Sequence, residues 1–358
     1  MFISGDPGLS PFLWFHTNHG IKGIESCLLF SHARGALNYY LKRLQLERGR
    51  ERKEILLPDY ICDDLVRAVR EIGFTVTYYK INDGLKADQG GVKERITDKT
   101  LAILSVHYFG FFSPSDDIVN LCRDKGISVI EDCAHVMFDN VVCTGRSLRG
   151  DAAIFSLRKQ FPLPDGGLLF VKDRKLEESI LDRNKISPAV PVKYILKYVL
   201  SRITISPSRR YGRENYIDET FHAIQGISAI SESILKRHVD TESIRKRRRN
   251  NFLYYVKRLT ESGIHNKIEI LFNDLKESDV PYMFPLRLRH DGNMEVIKNL
   301  RRQGIPAISW PSLPEEVKKS SQFSFARSLQ ERIVLLPLHQ DINNRHIDYS
   351  IQKLSQVI

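Results

Sequence analysis

Residues 152–171 read AAIFSLRKQFPLPDGGLLFV. A run of small and apolar residues, AAIFS, ends in a basic pair, Arg158-Lys159. Two prolines and an Asp165-Gly166-Gly167 turn follow, and a second apolar run, LLFV, begins at once. The two runs predict neighbouring buried strands, bounded by the residues that make turns. An isolated lysine is usually surface decoration. A lysine in a short, proline-stiffened loop between two buried strands invites the other reading, an amine held for covalent chemistry.

Working outward, residues 26–171 alternate between strand and helix patterns. SCLLFS (26–31), EILLP (54–58), VTYYKI (76–81), TLAILSV (100–106) and ISVIED (127–132) predict strands. RGALNYYLKRLQL (34–46), DDLVRAVREIG (63–73) and SPSDDIVNLCRDKG (113–126) predict amphipathic helices. The second ends at a glycine, as helix C-termini prefer, and the third starts with a Ser-Pro-Ser-Asp entry suited to a helix N-terminus. Short apolar strands alternating with helices predict an α/β fold with a mainly parallel sheet. Such sheets bind ligands at the carboxyl ends of their strands, so the residues just after each strand carry the functional question.

After about residue 172 the pattern changes. KYILKYVLSRI (193–203) is a basic amphipathic helix pattern, and residues 219–260 read as mostly helical. From about 261 onward short strands (KIEILF, YMFPLRL, ERIVLLPL) mix with helices such as NMEVIKNLRRQG. The expected division is a large α/β part over residues 1–240 and a smaller α+β part over residues 241–358. A length of 358 residues suits two such units.

The net charge of +11 favours anionic partners without choosing among phosphate esters, nucleic acid and acidic membranes. The RKRRR run (245–249) is read as a solvated helix face with Ile244, Leu253 and Val256 on its apolar side, and nothing like a nucleic-acid-binding motif accompanies it. KYILKYVLSRI is read as core-facing in preference to membrane-bound. No apolar run approaches the roughly 20 residues of a membrane span. Five cysteines without a CxxC pair or zinc spacing predict reduced thiols and no metal site. With no signal-peptide pattern at the start, the expectation is a cytoplasmic chain that binds neither membrane nor nucleic acid.

Five clusters fall at predicted strand ends. SHARGAL (31–37) opens a helix with Arg34, Gly35 and Ala36, where free N–H groups can hold a phosphate; a plain strand-to-helix turn is the simpler reading. HYFG (107–110) holds a histidine that is more often structural. EDCAH (131–135) places two acids at the end of an apolar strand, which is costly unless cations meet them. There Asp132 either caps the following turn or serves a protonated ring nitrogen, and His135 follows three residues later. The fourth cluster is Ser156, Lys159 and the Asp-Gly-Gly turn. The fifth is GRENYIDETFHA (212–223), with Asn215 in a polar helix entry. Each is weak alone. Together they supply the three parts that pyridoxal 5'-phosphate (PLP) needs: a lysine, an acid for its pyridinium nitrogen, and a phosphate cup at a helix N-terminus. No GxGxxG follows the first strand, which argues against a dinucleotide enzyme.

With these blocks in this order, the chain resembles the DegT/StrS-type sugar aminotransferases, a branch of the fold-type I PLP enzymes. The resemblance runs over about residues 28–340. It rests on VHYFG, ISVIEDCAH, the spacing of Gly145, Gly150-Asp151, Ala153 and Phe155-Ser156, and Lys159 followed by Asp165-Gly166-Gly167. GRENYIDETFHAIQG (212–226), WPSLPEEV (310–317) and LLPLHQ (335–340) resemble later family blocks. The resemblance implies Lys159 as the Schiff-base lysine and Asp132 as partner of the pyridine nitrogen. It implies His135 near the ring hydroxyl, Ser156 and the Arg34-Gly35 turn at the phosphate, and Asn215 reaching the phosphate of a neighbouring subunit in a homodimer with shared active sites.

The activity it implies is amino transfer from an amino acid donor to a keto-sugar acceptor, often nucleotide-linked. Three positions depart from the family pattern. Ser156 and Lys159 are three apart where commoner members have five, Ile217 replaces an arginine, and Cys62 stands where an aromatic usually covers the ring, with Tyr60 nearby as the other candidate. Two other functions stay in view. A PLP-fold binding or regulatory protein would need neither Lys159 nor Asp132, and the family's sugar dehydratases replace the lysine.

Overall fold

A computed structural model of the chain describes residues 1, 3–5, 7, 20–112, 116–138, 148–172 and 224–358. Asn215, Ile217, Cys143 and the KYILKYVLSRI stretch lie outside the described residues.

The alternating pattern folds as a seven-stranded sheet. In chain order its elements are β1 (Leu28–Phe30), α1 (Ala33–Arg48), β2 (Glu54–Pro58), α2 (Asp63–Glu71), β3 (Thr75–Tyr79), α3 (Gln89–Arg95) and β4 (Thr100–Val106). Then come α4 (Asp116–Asp124), β5 (Ser128–Cys133), β6 (Ala152–Ser156) and β7 (Gly167–Val171). The strand order is β1-β7-β6-β5-β4-β2-β3. The neighbours from β6 through to β3 pair in parallel, and only β7 runs against both β6 and β1. Every residue of β5 and β6 is buried. A parallel sheet covered on both faces asks for such near-continuous apolar runs. Because β1 and β6 both run against β7, the carboxyl ends of β1, β2, β4, β5 and β6 share one edge.

The remaining elements are α5 (Ala229–Arg237), α6 (Thr241–Glu261), β8 (Ile268–Ile270), β9 (Phe284–Leu288), α7 (Asn293–Arg302), α8 (Glu315–Lys319), α9 (Ser324–Arg332), β10 (Ile333–Leu336) and α10 (Asn344–Val357). A three-stranded antiparallel sheet, β10-β9-β8, forms their centre. Side chains close several helix starts. Asp88, Ser228 and Asp240 each accept a backbone N–H of the first turn, and Asn343 with His346 makes a capping box. No helix among the described residues is long and apolar enough to cross a membrane.

One expectation fails in α6. The RKRRR run is not a uniformly solvated face, because Arg248 is fully buried, while Leu253, read as apolar-side, is 50% exposed. The inward stripe is Arg248, Asn251, Phe252, Tyr255 and Leu259. That stripe keeps the three-to-four spacing of a helix face, shifted round from the one the aliphatic residues suggest. A guanidinium surrounded by carbonyl acceptors can occupy an inward position that an aliphatic count assigns to another face.

Candidate active site

β6 delivers Ser156 to the carboxyl edge, and a 3-10 turn, Leu157–Lys159, follows directly. The loop is pinned from several sides. Leu157 N–H donates to Gly166 O at 2.9 Å, closing the loop on itself, and Phe161 and Leu163 insert into the core. Asp165 is buried and accepts from Ser228 N–H at 2.9 Å and from the hydroxyls of Ser228 and Ser231 at 2.6 and 2.5 Å. Gly166 N–H reaches Ser31 O at 2.7 Å, at the end of β1. Gly167 then passes so close to the β1–α1 turn that a Cβ there would sit 2.2 Å from the carbonyl carbon of His32. Only glycine permits that approach. The Asp-Gly-Gly turn therefore ties the lysine loop to the start of α1.

Lys159 is partly buried, and desolvation lowers its pKa to about 8, with Asp132 opposing the shift and Arg158 adding to it. Such an amine is about one-tenth unprotonated at pH 7, far more than an ordinary lysine, and the unprotonated form is the nucleophile.

The two acids of EDCAH each meet a cationic or hydrogen-bonding partner. Glu131 pairs with His107, Oε2 to Nε2 at 2.6 Å, and its other oxygen accepts Gly150 N–H at 2.6 Å. His107 is stacked on Phe112 with 4.4 Å between ring centres, so the structural reading of this histidine holds. Burial opposes the charge on Glu131, yet His107 and the backbone donors more than offset it and hold its pKa below the usual value.

Asp132 faces Lys159. Its Oδ1 accepts Ala134 N–H at 2.9 Å, so it does cap the following turn, and among the described residues its other oxygen accepts no hydrogen bond. Burial raises its pKa, with Ala134 N–H and Lys159 pulling the other way. A cation brought to the open oxygen would restore its charge.

His135 lies where the lysine turn and the β4 exit meet. Its Nδ1 accepts Phe109 N–H at 3.2 Å, and its carbonyl accepts Gln160 Nε2 at 2.6 Å. Burial first, and Lys159 second, hold its pKa well below the usual histidine value. The ring is therefore neutral, and with Nδ1 accepting, its proton is on Nε2. Phe109 itself sits at φ 58°, a left-handed conformation rare for a bulky residue. Gly110 follows at φ 93°, and a Cβ there would meet Val280 O at 2.4 Å. Tyr282 N–H closes the contact by donating to Phe109 O at 2.7 Å.

Around this centre lie a basic side and an aromatic side. Arg34 is in the first turn of α1 and pairs with Asp64 at 3.2 Å. Burial lowers its pKa, and it feels Asp64, Cys62 and Arg158. Cys62 in turn feels Lys159 and Arg34, although burial dominates and raises the thiol. No side chain caps α1, whose first bond of this kind runs from Ala36 N–H to His32 O, leaving the N–H groups of Ala33, Arg34 and Gly35 ahead of it. Ser156 pairs in register with Gly167, and Gly167 abuts His32, so Ser156 is brought beside the same turn. On the other side the Tyr282 ring stacks on His135 at 4.8 Å and lies 5.8 Å from Lys159 Nζ. Trp310 and Phe109 flank His135 at 5.7 and 6.0 Å. Tyr60 is fully buried and stacked on Trp310 at 4.7 Å, whereas Cys62 is half-buried and feels the charge of Lys159.

The fold thus brings together Arg34, Gly35, Asp132, His135, Ser156 and Lys159 at one edge. Asn215 lies outside the described residues. The sequence patterns did not single out Gln160, Tyr282 or Arg248 for the site. The one available signal was position: Gln160 follows the lysine, and Tyr282 leads an apolar strand.

The family model described as the DegT/DnrJ/EryC1/StrS aminotransferase family matches residues 21–355. A UDP-N-acetyl-3-dehydro-alpha-D-glucosamine 3-aminotransferase of Acidithiobacillus ferrooxidans is 27% identical over 165 residues, 45% of this chain and 44% of that protein. The match therefore spans less than half of that relative. A dTDP-4-amino-4,6-dideoxy-D-glucose transaminase of Escherichia coli is 23% identical over 344 residues, 90% of this chain and 82% of its own. Among solved structures, the Helicobacter pylori aminotransferase PseC, involved in pseudaminic acid biosynthesis, superposes with a TM-score of 0.68 at 15% identity, covering 99% of this chain and 98% of its own. The ntda protein of Bacillus subtilis, with bound cofactor PMP, superposes at 0.67 and 17% identity, covering 99% and 78%. At these identities the superpositions establish the shared fold, that of the PLP-dependent sugar aminotransferases.

Proposed function

The chain belongs to the DegT/DnrJ/EryC1/StrS aminotransferase family, and from that premise we propose that it is a PLP-dependent aminotransferase moving an amino group from an amino acid to a keto-sugar, in a nucleotide-linked form. The observation that carries this reading is the meeting of Lys159 with Asp132. A lysine whose pKa falls to about 8 faces a buried carboxylate with one oxygen open.

The residues present fit the cofactor. Asp132 would meet the ring nitrogen with its open oxygen, and His135 would offer its Nε2 proton to the ring hydroxyl. The first turn of α1 at Arg34 and Gly35, with Ser156 beside it, would hold the phosphate at the positive end of the helix. Cys62 would lie toward the ring face. Once bound, PLP supplies an electron sink and a carrier for the amino group. The chain supplies the proton chemistry. Lys159 Nζ takes a proton from the donor's α-carbon and returns it on the acceptor side, a task suited to an amine that titrates near the working pH. Neutral His135 donates without adding charge beside the lysine. Phe109, Tyr282 and Trp310 exclude water from the lysine's aromatic side.

The two acids at the end of β5 now have separate roles in this reading. Glu131 is satisfied within the core, and Asp132 serves the site. A surplus of basic residues suits an anionic sugar nucleotide. The same reading assigns residues 1–240 to the cofactor-binding part and 241–358 to the smaller part, in a cytoplasmic homodimer whose sites are completed by Asn215 of the neighbouring subunit. Retention of both Lys159 and Asp132 supports transamination over a binding or dehydratase role.

The test begins with a visible spectrum. Purified protein supplied with PLP should develop an absorbance band that Lys159→Ala lacks, and amination of a panel of nucleotide-linked keto-sugars should follow. A wild-type protein that stays colourless sinks the cofactor assignment, and a deoxy product without amine transfer overturns the reaction type.

A further inference from the structure

Arg248 has its whole side chain out of solvent. Its guanidinium reaches four acceptors, none of them a carboxylate. Nε donates to Gln340 Oε1 at 3.1 Å. One terminal nitrogen donates to the carbonyls of Pro281 and Tyr282, each at 3.4 Å. The other donates to the carbonyl of Gln160 at 3.3 Å. Burial is the main influence on this group and pulls its pKa down to about 10, with Tyr282 and Asp341 opposing through space.

A buried cation without an anionic partner carries a large desolvation cost. What the guanidinium offers in return is geometry, because its planar fork sends donors to several acceptors at once. The acceptors belong to three separate segments, and two of them frame the lysine. Gln160 is the next residue after Lys159, and its side chain holds His135 O. Tyr282 carries the ring that lies 5.8 Å from Lys159 Nζ and stacks on His135. Gln340 backs the same arrangement, its Nε2 reaching the Gln160 carbonyl at 3.5 Å.

We propose that Arg248 is a positioning residue for Lys159: its guanidinium locks the lysine turn, through Gln160 O, to the Tyr282 segment, and so holds the amine on the water-excluded side of the cleft. This rests on the reading of Lys159 as the cofactor-bearing lysine. Arg248 touches neither the amine nor the cofactor position and acts through the two segments it joins. The titratable and charged groups around the amine itself are Asp132, Arg158, Cys62, Arg34 and the neutral His135. Burial is the first cause of the low Lys159 pKa, so loosening the turn should let water in and move the amine back toward ordinary lysine behaviour.

The experiment measures how fast apoprotein captures PLP on Lys159 across pH, with borohydride trapping and peptide mapping to identify the lysine. Only the unprotonated amine captures, so the rate reports the amine's titration. In wild type the rate should be half-maximal near pH 8. In Arg248→Lys and Arg248→Met the midpoint should rise by about one unit and PLP affinity should fall roughly tenfold, as a hydrated amine requires. A lower melting temperature with an unchanged midpoint and affinity would make Arg248 merely structural and overturn the proposal.

Should Arg248→Met fail to fold, Gln340→Leu gives the same readout from a milder change. It removes the Nε acceptor and the second bond to Gln160 O. An upward midpoint there supports the proposal, and an unmoved one overturns it. Wild-type protein that captures no PLP, or captures it on another lysine, refutes the underlying reading before any variant is compared.

Discussion

Gln160 donates its side-chain amide to the backbone carbonyl of His135 at 2.6 Å, joining the turn after β6 to the turn after β5. The two motifs that look unrelated in the sequence are thereby one rigid unit. Lys159 cannot shift without pulling on His135. Gln160→Ala should lower stability by about 1–2 kcal/mol, the worth of a buried hydrogen bond whose acceptor is left alone. It should also weaken PLP retention. Thermal melting of the apoprotein and dialysis of the loaded protein separate the two effects.

Asp132→Asn should keep PLP attached to Lys159, since the lysine is untouched, but slow amine transfer. The uncharged amide cannot stabilise a protonated ring nitrogen, and removal of such an electrostatic partner costs on the order of 10²–10³ in rate. Single-turnover mixing with an amino donor measures the loss. A rate within a few-fold of wild type would remove Asp132 from the chemistry.

In the proposed reading Cys62 would lie toward the cofactor ring, where an aromatic side chain could stack. Cys62→Phe should tighten PLP by roughly two- to tenfold, the value of an added aromatic stack of about 0.5–1.5 kcal/mol. Titration followed by fluorescence checks it. The gain should be absent in Tyr60→Phe, because the Tyr60 ring is already packed on Trp310 in the core.

Much of this was legible in the sequence, for physical reasons. Strands such as SVIED and AAIFS are apolar because both sheet faces are covered, so period and composition reveal them. Strand-end rules then pointed to Asp132, His135 and Lys159, since a parallel sheet gathers those ends on one edge. Arg248 was misread because charge was taken as exposure, and only the folded chain shows the carbonyl groups that receive it. Tyr282 lies well over a hundred residues beyond Lys159, and no local pattern reports a contact at that separation. Asp165 looked like a turn residue and is one, but its hold on Ser228 and Ser231 depends on where α5 packs.

The His107–Glu131 pair predicts how the fold responds to acid. Both side chains are out of solvent, and Glu131 titrates below its usual value. A carboxylate with a depressed pKa in the folded state contributes stability that is fully present above its ordinary value and is lost as pH falls through the folded one. Wild type should therefore lose stability as pH drops below the ordinary carboxylate range. In Glu131→Gln that loss should be smaller, because the neutral amide has no proton to take up. Glu131→Ala should cost roughly 3–5 kcal/mol near neutral pH, since it strands a buried imidazole and leaves Gly150 N–H without its acceptor. Urea unfolding at a series of pH values decides between these expectations: parallel wild-type and Glu131→Gln curves would show that the pair does not couple to folding.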